Sequence, residues 1–357
     1  MKRLLHFFWF NYHKRYGDAG VYEQSNVEIQ KWAEKCLEHR FAVHSTSCET
    51  QGRVTISERD ILLGHLTWDP YSGTPGETGR SQRNWMRDNK LNPDDPCHPN
   101  CFVLTPWVPQ FPQEWTEKMP WLESQLEQSR LIFAICGPIW LERTLALDDQ
   151  SIQSRVKSKL VRLNMCVNYD ALDIRKKQFN PPGRRKLVHV SNLGSYKGFD
   201  LLLDSTEGVA IPSIGSKALS LLKPGLADID MFGKSYRINN LGTILNTDDE
   251  QIRNIVTEHD FYIHTSSMDA QATTTLEFCA RGLVPIVTPE SGFASADAVY
   301  LTQSAAKNKD IIRRALEMPD DELKYRSERI KNQIRQEHSW DGFFATIADK
   351  IEAICGN

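Results

Sequence analysis

Short apolar runs recur along this chain, with room for one helix between most of them. The N-terminal run Leu4–Phe10 is followed by "RFAVHST" (40–46), "RDILLGH" (59–65), "CFVLTPWV" (101–108), "RLIFAICG" (130–137) and "KLVRLNMCV" (159–167). A second series starts at "KLVHVSNL" (186–193) and continues through "ADIDMFG" (227–233), "DFYIHTS" (260–266) and "LVPIVTP" (283–289). Runs this short are what a parallel sheet buries on both faces. Segments of helical period separate them. Ile29, Trp32, Ala33, Cys36 and Leu37 mark a helix over 22–39, and "FDLLLDST" (199–206), "DDEQIRNIVTEH" (248–259) and "TTTLEFCARG" (273–282) mark others. The alternation predicts an α/β fold, with parallel sheets and right-handed crossovers.

A chain of 357 residues has room for about two domains. The series breaks at "DIRKKQFNPPGRRK" (173–186), and its Pro-Pro-Gly places a linker near Asn180–Gly183. The predicted domains are 1–180 and 181–335, with a closing helix over 336–357. Turn formers crowd residues 70–100, the composition of an inserted lid or binding loop. Two doubly wound halves predict a ligand cleft at the carboxyl ends of the strands. The six basic residues of 173–186 have two readings: a solvated linker, or an attractor of phosphates or lipid headgroups in peripheral membrane contact.

Charge narrows the partners. With 43 basic and 46 acidic residues the net charge is -3, so nothing global pulls the chain toward nucleic acid, and no nucleic-acid partner is expected. No apolar stretch is long enough to span a bilayer. "MKRLLHFFWF" imitates a signal peptide, but the run is short, interrupted by His6 and without a cleavage site, so a first buried strand in a cytoplasmic protein is expected. The eight cysteines are mostly scattered singly and read as reduced thiols. Cys97 and Cys101 flank His98 in "CHPNC", but no second pair stands at zinc spacing, so no metal is expected.

Two stretches carry chemistry. In "HVSNLGSYKGFDLLL" a strand runs through a turn bearing Lys197 and Gly198 into a helix. Helix starts point unpaired amides outward, and a lysine beside one suits a phosphate. In "HTSSMDAQATTTLEFCARG" Asp269 and Glu277 stand eight residues apart around Thr273, Thr274 and Thr275. Each acid has an ordinary explanation. Thr274-x-x-Glu277 fits a capping box, with Gly282 stopping the helix, and Asp269 fits a turn former.

In this order and spacing the two stretches resemble the C-terminal domain of GT-B glycosyltransferases, in particular the retaining group called family 4. The first signature, G-R-L-x-x-x-K-G after a strand, corresponds to Ser191-Asn192-Leu193-Gly194-Ser195-Tyr196-Lys197-Gly198. The second, E-x7-E followed by a small-residue helix and G-x-P-V-V, corresponds to Asp269-x7-Glu277 and "FCARGLVPIV". The resemblance covers roughly 130–357 and includes the closing helix, which in this family crosses back to the first domain.

The resemblance implies a fold of two Rossmann-like domains and transfer of a sugar, a hexose in the expected class, from a nucleotide-diphosphate donor with retention of configuration. No cofactor or metal is implied; the sugar nucleotide is a co-substrate. Lys197 would neutralise the diphosphate, Glu277 would hold the ribose, and Asp269 would hold the donor sugar as a catalytic residue. Gly198, Asn192, Thr274 and Thr275 complete the donor side. On the acceptor side, Gly17 and Gly20 would let backbone approach the diphosphate, Trp107 would stack on a sugar or acceptor, and His65 would face the cleft as a second catalytic residue. For His65 a hydrogen-bonded histidine at a strand end is an equal reading, and for Trp107 a core residue is another. The acceptor class stays open among glycan, lipid, protein and small molecule.

This chain departs from the pattern where Asn192 replaces the signature arginine, where Asp269 replaces a glutamate, and where "AQATTT" replaces a glycine-rich run. The linker arginines or Lys234 are the candidate replacements for the missing cation. The departures keep two alternatives: a non-catalytic GT-B-like binding protein and a sugar-nucleotide epimerase.

Overall fold

The computed structural model describes residues 2–8, 29, 31–46, 57–65, 99–105, 126–127, 129–145, 156–245 and 249–356. The chain forms two compact units. Met1–Cys136, Trp140–Asn164 and Trp340–Asn357 make the first; Gly137–Ile139 and Met165–Ser339 make the second.

In the first unit, six strands are β1 (Leu4–Phe8), β2 (Ala42–Thr46), β3 (Ile61–His65), β4 (Cys101–Thr105), β5 (Leu131–Ile135) and β6 (Leu160–Leu163). Among the described residues they form one sheet in the order β2-β1-β3-β4-β5-β6, and every pairing is parallel. Leu5, Phe7, Leu63, Phe102, Ile132 and Phe133 are fully buried, as strands packed on both faces require. Residues 31–37 are helical, and α1 covers Pro138–Leu145. The expected insertion at 70–100 lies almost wholly outside the described residues.

The second unit contains β7 (Leu187–Val190), β8 (Ser213–Gly215), β9 (Gly225–Met231), β10 (Lys234–Gly242), β11 (Phe261–His264), β12 (Val284–Val287) and β13 (Val299–Tyr300). Its helices are α2 (Phe199–Thr206), α3 (Asp249–Glu258), α4 (Thr273–Ala280), α5 (Ala305–Leu316) and α6 (Asp320–Glu337). The sheet order is β13-β12-β11-β7-β8-β10-β9, parallel except for the β9–β10 hairpin at the edge. The sequence reading passed over β8 and β10. β8 has three residues, and β10 buries only alternate positions: Tyr236, Ile238 and Asn240. Asn240 is buried because its amide donates to the carbonyl oxygens of Leu219, Leu222 and Lys223, at 3.3, 3.0 and 3.3 Å.

The chain returns to the first unit at its end, where α7 spans Trp340–Cys355. Phe344 meets Phe7 edge-on at 6.2 Å, and Arg40 pairs with Asp349 and Glu352.

Residues 173–186, read above as holding the linker, are bound into the second unit. Lys176 lies 3.3 Å from Asp260, both side chains almost fully buried, and Asp260 also accepts from the amides of Asn180 and Lys186. Arg185 pairs with Asp320 at 2.8 Å and Lys186 with Glu258 at 3.2 Å, while Arg175 donates to the Tyr169 carbonyl oxygen at 2.7 Å. Internal partners thus take up most of this basic cluster. No helix among the described residues is long and apolar enough to cross a membrane.

Candidate functional site

Strand order reverses at β7. The chain leaves β7 for β8 on one side, and later returns to build β11 on the other. Crevices at such switch points, outside the carboxyl ends of the strands, are where open α/β sheets bind ligands. Two loops meet there: residues 191–198 after β7 and residues 265–272 after β11.

Gly198 makes the meeting possible. It occupies the N-cap of α2 with φ 66°, and a Cβ there would stand 2.1 Å from the Thr265 carbonyl oxygen. The Thr265 hydroxyl donates to the Gly198 carbonyl oxygen at 2.7 Å, and the Ser266 hydroxyl donates to that of Tyr196, also at 2.7 Å. This lacing brings Lys197 onto Asp269. The two form a buried ion pair, with Lys197 6% and Asp269 9% exposed. The Asp269 amide donates to the Glu290 carbonyl oxygen at 3.0 Å, which fixes the loop from the far side.

Two histidines missed at the level of sequence complete the cluster. His264, at the end of β11, places Nε2 3.1 Å from Asp269 Oδ2. His189, on β7, stacks on His264 with centroids 5.6 Å apart and donates from Nδ1 to the Ile263 carbonyl oxygen at 2.9 Å. Burial pushes His189 down to about 3, and burial together with the Lys197 charge lowers His264, so both rings are neutral. Burial acts to raise Asp269, but the Lys197 charge and the His264 hydrogen bond outweigh it and hold the carboxyl below the ordinary carboxylate range. The available signal was a histidine near the carboxyl end of each of "LVHV" and "FYIH", third in one and last in the other, which only strand pairing brings together.

The capping box does not form. The cap of α4 is Ala272, with no side-chain hydrogen bond, and Thr274 sits inside the helix, its hydroxyl 2.8 Å from the Tyr262 hydroxyl. The Thr275 hydroxyl is buried with no partner. Glu277 is half-buried, and burial raises its carboxyl to about 7 against an opposing pull from Arg281. Gly282 does end the helix, at φ 104°.

Asn192 is exposed and turns inward on its own loop, accepting from the Gly194 amide at 3.1 Å. Of the substitutes considered for the missing arginine, Lys234 is engaged with Asp204 at 2.8 Å and Arg185 with Asp320. His65 ends β3, but its side chain lies outside the described residues, as do Gly17, Gly20 and Trp107. Cys97 and His98 also lie outside them, while Cys101 is buried in β4 with its thiol pushed up to about 12 by burial. No group of three or more potential metal ligands occurs among the described residues.

No family model matches the sequence, and no curated protein is recognisably similar to it. Solved structures are similar over nearly the whole chain. An alpha-glucosyltransferase in complex with UDP and a 13-mer DNA containing an HMU base matches with TM-score 0.58 and 11% identity, over 98% of this chain and 100% of that one. The catalytic domain of Starch Synthase IV from Arabidopsis thaliana, bound to ADP and acarbose, matches with TM-score 0.59 and 10% identity over 99% of each chain. A glycosyltransferase from Rickettsia africae ESF-5 matches with TM-score 0.56 and 14% identity, over 100% of this chain and 99% of that one. The first of these corrects the expectation that nucleic acid is excluded as a partner. A net charge of -3 averages over the whole surface, and a fold shared with a DNA-bound enzyme leaves such a partner open. With two parallel-dominated sheets and this likeness over its whole length, the chain has the GT-B fold of the glycosyltransferases it is similar to.

Proposed function

We propose that this chain is a glycosyltransferase whose second unit holds a nucleoside-diphosphate sugar at the carboxyl ends of β7 and β11. One observation carries the reading: Lys197, Asp269 and the uncapped N-terminus of α4 converge at the strand-order reversal. The leaving group gains negative charge as the glycosidic bond breaks. A fixed ammonium and helix-terminal amides lower that barrier by standing where the charge grows. Lys197 takes the diphosphate, Glu277 the ribose, and Asp269 the hydroxyls of the donor sugar. In this reading configuration is retained, the transferred sugar is a hexose, and Lys197 supplies the positive charge without a metal.

The test begins with thermal shift against UDP, ADP and GDP, since a ligand that binds only the folded state raises the melting temperature. One of them is expected to raise it by several degrees, with transfer from the matching sugar nucleotide. Acceptors to be offered are glycans, lipids, peptides, small molecules and, given the DNA-bound relative, duplex DNA. Lys197→Ala is expected to weaken nucleotide binding about 10- to 100-fold, as loss of a charge-assisted contact does. Wild-type transfer in that variant would overturn the site assignment. A second reading, a binding protein without turnover, is favoured by Asn192 in the arginine's place. Tight nucleotide binding with neither transfer nor donor hydrolysis is its signature.

A further inference from the structure

We propose that His264 is a positioning residue, whose Nε2–H keeps the Asp269 carboxylate ionised and oriented when Lys197 turns from Asp269 to the phosphates of a ligand. The proposal rests on the donor-site reading above.

In the free protein Asp269 Oδ2 meets both Lys197 and His264. A diphosphate carries more negative charge than one carboxylate and competes for the same ammonium. Loss of the Lys197 charge pushes a carboxyl group this deeply buried toward its protonated form. It would then present one acceptor and one donor in place of two acceptors. His264, with Nε2 3.1 Å from Asp269 Oδ2, stays in place to oppose this. Its Nδ1 is buried with no hydrogen-bond partner, so the ring's single proton sits on Nε2, directed at Asp269.

The ring is braced. It is fully buried and stacks on His189 at an interplanar angle of 12° and on Tyr262 at 27°. His189 in turn donates to the carbonyl oxygen of Ile263, the residue before His264. Among the described residues, the titratable groups facing His264 are Asp269 on its own loop, Lys197 from the β7 loop, His189 from β7 and Tyr262 from β11. Stability alone does not account for a histidine here. A leucine would fill similar space without orphaning a buried ring nitrogen.

The experiment follows the Asp269 carboxyl carbon by NMR in carbon-13 aspartate-labelled full-length protein, titrated with and without saturating pyrophosphate. The variants are His264→Phe, which keeps the stack and loses the donor, and His264→Gln, whose amide nitrogen replaces Nε2. In wild type Asp269 stays ionised at pH 6–7 with pyrophosphate bound. In the Phe variant pyrophosphate raises its midpoint by about 2 pH units, and the Gln variant recovers at least about half of the difference. With the sugar nucleotide selected above, kcat falls about 30-fold in the Phe variant while KM stays within about threefold, and Gln restores most of kcat. If the Phe variant does not fold, His264→Asn replaces it, because its amide stops short of Asp269. A wild-type titration and kcat in the donorless variant, or equal impairment in the Gln variant, overturns the proposal. Full transfer by Asp269→Asn would instead overturn the donor-site reading itself.

Discussion

The residues of the site differ in what fixes them. Lys197, Asp269 and Glu277 were legible because each belongs to a short motif whose spacing is set within one loop and one helix. His264 and His189 were not, because 74 residues separate His189 from the Ile263 carbonyl it bonds, and only sheet register joins them. Glu277 carries a prediction. Burial raises its folded pKa to about 7, above the ordinary 4.5, so the folded state binds its proton more tightly than the unfolded state. The stability this contributes is complete below pH 4.5 and is lost as pH rises through about 7. Glu277→Gln is therefore expected to exceed wild type by less than about 1 kcal/mol near pH 5 and by roughly 1–3 kcal/mol near pH 8, measured by urea denaturation at both values. Equal stability at pH 8 would mean that the carboxylate is solvated rather than penalised.

Among the elements, those with a continuous apolar run were readable, and those that earn their place through pairing were not. β7, β11 and β12 are buried at every position, and their sequences show it. β10 alternates, and one of its inward residues is Asn240, so hydrophobicity alone hides it. The turn of the β9–β10 hairpin holds Phe232 at φ 54° and Gly233 at φ 76°, the left-handed pair of a two-residue hairpin. Phe232 is 58% exposed and is strained in that region. Phe232→Asn is expected to stabilise the second unit by about 0.5–1.5 kcal/mol, raising its melting temperature in a calorimetric scan. A lower melting temperature would show that the ring packs on something its exposure conceals.

At the scale of the molecule, helix α7 closes the first unit although it is last in sequence. It buries Trp340, Phe343, Phe344, Ile347 and Ile351. At roughly 2 kcal/mol for each large side chain, this approaches the net stability of a whole domain. Deleting residues 340–357 is expected to abolish the calorimetric transition of the first unit and to leave that of the second, together with its nucleotide binding; survival of both transitions would refute the assignment. The chain's own order of residues settled the strand–helix alternation, the α/β class and the two motif loops, because periodicity and turn chemistry act over a few neighbours. Tertiary structure alone decided that residues 173–186 are tied down rather than free, through Lys176 and Asp260. It also decided that Asp269 is shared between Lys197 and His264. These are pairings of buried polar groups, and a buried charge takes whichever partner the fold brings near it, however distant in sequence.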